Sequence, residues 1–103
     1  MRYNIIPITP PTIEERDLLN KTIEECAEVI QACTKILDYG FESTNPDKPT
    51  ITNRQHLEQE VGDAMCLFSL MMDKDVLSEA GVYQAGTHKL DRLHKYSNIE
   101  VYK

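Results

Sequence analysis

An all-α fold, a helical bundle completed by oligomerisation, is what this sequence predicts, on three observations. Two stretches, Thr12 to Tyr39 and Thr52 to Met72, each open on a helix-capping signature and carry apolar residues at helical spacing. All five prolines fall outside them. At 103 residues the chain makes one small domain, short enough that part of its apolar surface is expected to need a partner subunit.

In residues 1–11, Ile5, Ile6 and Ile8 are broken up by Pro7, Pro10 and Pro11, which excludes a helix and predicts an extended arm. Thr12 followed by Glu15 is a capping box, so a long helix is expected from Ile13 to Tyr39, with Gly40 as its stop. Leu19, Ile23, Cys26, Ile30, Cys33 and Leu37 alternate steps of four and three, the spacing of a bundle-forming seam. Glu24, Glu25 and Glu28 lie well round the helix from that seam, so a merely solvated acidic face is one reading of them.

Residues 40–51, with Gly40, Pro46 and Pro49 among polar side chains, read as a loop, functional or simply connecting. Thr52 and Gln55 repeat the capping logic and open a second helix to about Met72. From Ala64 to Met72 only Ser69 is clearly polar, which predicts burial nearly all round. Asp73, Lys74 and Asp75 mark a break. A last helix is expected over 78–97, with Ala80, Tyr83, Leu90 and Leu93 on its buried side and Gly81 and Gly86 weakening it. Residues 98–103 read as a tail.

With 17 acidic against 11 basic side chains and a formal charge of -6, a nucleic-acid polymer is a poor partner, because such binding rests on neutralising phosphates. Cys26, Cys33 and Cys66, an odd number set in apolar helical patterns, point to a reducing, cytoplasmic compartment and away from zinc. No apolar run is long enough for a membrane span, and no signal-type segment opens the chain.

The chemistry-bearing residues are acidic. Glu24, Glu25 and Glu28 crowd one helical turn, where like charges repel unless water or a cation relieves them. Glu60 and Asp63 stand three apart beside the apolar run of the second helix, where a free carboxylate is costly without a cation, a basic side chain or a shifted pKa. Two helices facing each other with such pairs suit Mg2+, with Mn2+ as a substitute. Di-iron bundles need Glu-x-x-His pairs, and this chain has none. His88, Lys89, Arg92 and Lys95 form a basic strip whose simplest role is to complement a helix C-terminus.

Glu24-Glu25-x-x-Glu28 followed by Glu60-x-x-Asp63, with the apolar residues around both, resembles the metal-binding signature of the all-α nucleoside triphosphate pyrophosphohydrolases of the MazG type. The resemblance covers residues 18–97, including a basic last helix, His88 to Ser97. It departs from the pattern in the 31 residues between Glu28 and Glu60, more than is usual in the family. The resemblance implies Mg2+-dependent hydrolysis of a (deoxy)nucleoside triphosphate to the monophosphate and pyrophosphate. Glu25, Glu28, Glu60 and Asp63 would hold the metal. Glu24 or Glu25 would serve the attacking water, unless Glu24 binds a second ion; Lys89, Arg92 and Lys95 would take the phosphates, with Lys21 as another candidate whose simpler role is a salt bridge to Glu24 or Glu25. It also implies a homodimer or dimer of dimers. Two other readings stay open: a relative acting on another phosphoanhydride, such as phosphoribosyl-ATP, and a non-catalytic helical dimer that binds a nucleotide or a protein.

Overall fold

The computed structural model describes residues 2–4 and 9–102. Three helices and a small hairpin follow in the order α1 (Ile13–Tyr39), β1 (Thr44–Asn45), β2 (Lys48–Thr52), α2 (Asn53–Asp73) and α3 (Glu79–Tyr96), so the mostly helical expectation holds. Ile5, Ile6, Pro7 and Ile8 of the expected arm lie outside the described residues. The chain divides into two compact units, Met1–Ser69 and Leu70–Lys103. Among the described residues no helix is long and apolar enough to cross a membrane.

Both helices of the first unit begin as their caps predict. The Thr12 hydroxyl accepts from the Glu15 N–H at 3.1 Å, while the Glu15 carboxylate accepts from the Thr12 N–H at 2.8 Å. Thr52 and Gln55 make the same reciprocal pair at 3.1 and 3.0 Å. Each pair satisfies two N–H groups that a helix start leaves without partners. Gly40 ends α1 at φ 90° and ψ 165°, donating its N–H to the Ile36 carbonyl at 2.8 Å. A residue with a Cβ is strained in that conformation, which is why the stop is a glycine.

The expected loop over 40–51 holds a hairpin. Asn45-Pro46-Asp47-Lys48 forms its turn, with proline pre-setting φ and the Asn45 side chain accepting from the Asp47 N–H at 2.8 Å. β1 and β2 pair antiparallel, with an irregular register between Thr44 and Asn45. Strands this short, one of them containing Pro49, carry no alternating pattern to read in advance. The hairpin base is tied down: Asn53 and Arg54 donate their N–H groups to the carbonyls of Ser43 and Phe41 at 2.8 and 2.9 Å. The buried Asn53 amide also donates to the Gly40 carbonyl at 3.1 Å. Arg54 pairs with Glu42 at 2.8 Å and lies 4.3 Å over the Phe41 ring.

The covered face of α1 is not the expected seam. Leu18 and Ala32 are buried, and Thr22, Glu25, Val29 and Ile36 are half-buried on the same side. That stripe has the same alternating spacing, shifted by one residue. In the seam itself Ile23 is 67 % exposed, Ile30 66 % and Leu37 85 %. Ala32 on α1 and Ala64 on α2 are among the covered residues. On α2, Glu60 and Leu67 are half-buried on the side of Ala64, but Met65 is 59 % exposed, so the run from Ala64 to Met72 is not buried all round.

In the second unit the end of α2 is a Schellman motif. Val76 donates its N–H to the Met71 carbonyl at 2.8 Å and Asp75 to that of Met72 at 3.2 Å, with Asp75 left-handed at φ 57°. Ser78 caps α3 by accepting from the Gly81 N–H at 3.1 Å. No residue of α3 is buried, which corrects the expectation for Ala80, Tyr83, Leu90 and Leu93; only Leu93 is half-covered. An apolar side is covered only where an opposing apolar face exists, and this unit offers little besides the last turn of α2. The tail is not without contacts: the Tyr102 ring packs edge-on against His94, centroids 4.8 Å apart.

Candidate metal centre

Glu25 sits in the middle of the covered face of α1, at a position where the stripe would otherwise carry an apolar residue. Glu60 occupies the matching place on α2, and Asp63 follows it by three, on the same flank of the helix. One carboxylate oxygen from each of the three lies within 4.8 Å of the other two; Glu25 and Glu60 are half-buried and Asp63 is exposed. Ligand oxygens on opposite sides of a Mg2+ ion stand roughly 4.2 Å apart, and about 4.6–5.2 Å apart around Ca2+. The group therefore suits a hard divalent cation, with a small side-chain rotation for the smaller ion. Three carboxylates also leave coordination positions for water or a ligand oxygen.

The electrostatics agree. The Glu25 carboxyl is held above its ordinary range, first by its partial removal from water and then by the negative charges of Asp63, Glu60, Glu28 and Glu24. Among the described residues no lysine or arginine pairs with Glu25, Glu60 or Asp63. The one basic group in contact is His56, whose Nε2 lies 3.2 Å from a Glu60 oxygen. Sequence reasoning missed His56, although its spacing of four from Glu60 on one helix places the two side chains side by side.

The other expected site residues are placed as follows. Glu24 is exposed and paired with Lys21 at 3.3 Å. Glu28 is exposed and outside the group of three oxygens, yet near enough to raise Glu25. Lys89, Arg92 and Lys95 are exposed on α3 in the second unit, with Lys95 paired to Asp91 at 3.1 Å. Of the aromatic residues, Phe41 is exposed with Arg54 over its ring, and Tyr39 lines a hollow beside the hairpin.

No family model, curated protein or solved structure matches this chain. What the centre can do follows from its own side chains. They are hard oxygen donors from two helices, two of them partly withdrawn from water, and a set of the kind that could hold a divalent cation.

Proposed function

We propose that the protein is a Mg2+-dependent nucleoside triphosphate pyrophosphohydrolase of the MazG type, releasing pyrophosphate and a nucleoside monophosphate. The observation that carries this reading is the convergence of Glu25, Glu60 and Asp63 from two helices within 4.8 Å. A bound Mg2+ would supply charge neutralisation for the polyphosphate and a Lewis acid at its oxygens. Glu25, Glu60 and Asp63 would hold the ion, and Glu28, one turn from Glu25, would be a further ligand on side-chain rotation. Glu24, on the adjacent side of the turn and paired with Lys21, would orient the water and accept its proton.

The open stripe on α1 supports an assembly in which a second copy covers it. Every charged residue between Leu19 and Leu37, namely Lys21, Glu24, Glu25, Glu28 and Lys35, lies about 120° or more round the helix from the centre of the stripe. Its flanks are uncharged, so two copies can meet there without like-charge repulsion.

Pyrophosphate release from a panel of ribo- and deoxynucleoside triphosphates, with Mg2+ and with EDTA, tests the activity. Release from at least one of them is expected with Mg2+ and none with EDTA. Glu60→Gln and Asp63→Asn are each expected to lower kcat/KM by about 100-fold or more, roughly 2.7 kcal/mol. Undiminished turnover in Glu25→Gln would remove the metal assignment.

A further inference from the structure

Beside the acidic group, beneath the hairpin, is a recess of about 180 Å3 whose lining includes Lys35, Asn45, Lys48, Asn53, His56 and Gln59. Asp47 is its one carboxylate. A larger hollow of about 520 Å3 shares Lys35, Asn45 and Asn53 with it and adds Tyr39 and Pro46. The recess collects two lysines in a chain of net charge -6. Lys35 is half-buried, and neither lysine has a carboxylate partner among the described residues. His56 belongs to both places: it lines the recess, and its Nε2 touches Glu60 of the acidic group. The hydrogen bonds at Gly40, Phe41, Ser43, Asn53 and Arg54 fix the hairpin base over it, so the recess is built into the fold.

We propose that this recess is an anion subsite, in which Lys35 and Lys48 take phosphate groups of a polyphosphate whose metal ion sits at Glu25, Glu60 and Asp63. The inference rests on the metal reading above and adds to it where the phosphates go. A metal-bound polyphosphate satisfies both neighbours at once: its cation answers the carboxylates, and its remaining negative oxygens answer the lysines. The amides of Asn45 and Gln59 supply neutral donors along the same wall. The lysines come from α1 and from the hairpin, the segment that makes the interval between the two acidic motifs long.

Calorimetry on the full chain tests this with Mg2+ alone, with inorganic tripolyphosphate, and with an α,β-methylene nucleoside triphosphate. Lys35→Gln and Lys48→Gln are each expected to weaken tripolyphosphate about tenfold, and the double variant more, while the affinity for Mg2+ alone and the thermal melt stay as in the wild type. Tighter binding of the nucleoside analogue than of tripolyphosphate would identify the polyphosphate as nucleotide-borne; equal binding would identify a free polyphosphate. Tripolyphosphate held by the double variant within about twofold of wild type would overturn the subsite, as would a wild type that does not bind it. Absence of Mg2+ binding, with the lysine dependence intact, would overturn the metal reading and leave the anion subsite standing.

Discussion

Glu25 concentrates the argument at the scale of single residues. An isolated carboxylate on a helix surface is ordinary, but this one stands on the face α1 covers, with Glu60 and Asp63 across from it. Its proton is held more tightly in the folded chain than in the unfolded one. The stability this group contributes is therefore complete below its ordinary value of 4.5 and is lost as the pH rises through the higher folded value. At neutral pH without a cation, Glu25 works against the fold. Glu25→Gln is accordingly expected to raise the melting temperature in EDTA at pH 7. Mg2+ should raise that of the wild type and do less for the variant, since ligand binding to the native state stabilises it. Thermal melts with and without Mg2+ read both signs, and a variant melting lower than wild type in EDTA would contradict them.

At the scale of elements, helix ends are set by a few side chains and the hairpin by a tied base. Gly40→Ala is expected to cost about 1–3 kcal/mol in chemical denaturation, because φ 90° admits no Cβ without strain, although space for the methyl exists. Asp75→Gly should move the other way by about 0.5–1 kcal/mol, since Asp75 occupies a left-handed position that glycine takes more readily. The ends of α1 and the start of α2 were legible in advance, because Thr12–Glu15, Gly40 and Thr52–Gln55 act within one turn. The hairpin was not, since what holds it is contact between residues 10 to 13 apart, such as Asn53 with Ser43 and with Gly40.

For the whole molecule the telling feature is the uncovered stripe of Leu19, Ile23, Ile30 and Leu37. Soluble monomers rarely leave a contiguous apolar face of this length to water. We infer that the stripe is the meeting surface of two copies, and sedimentation equilibrium should find a dimer or a larger even assembly. Ile23→Glu with Ile30→Glu is expected to shift it to monomer, by placing charge in the seam of both partners. An assembly unchanged by both substitutions would place the contact elsewhere.

The sequence by itself determined the three helices, the caps of α1 and the start of α2, and the two acidic motifs, all of which depend on neighbours within one or two turns. It also showed the seam of larger side chains on α1, but periodicity has no term for whether a neighbouring helix will cover it. Tertiary structure decided that. The stripe containing Ala32, not the seam of larger side chains, is the covered one, and it carries Glu25 to Glu60 and Asp63 of α2. That one-residue rotation turns Glu25 from an outward carboxylate into a half-buried partner of Glu60 and Asp63. It also leaves the leucine and isoleucine seam facing outward, and brings His56 and Lys35 to the recess beside the acidic group.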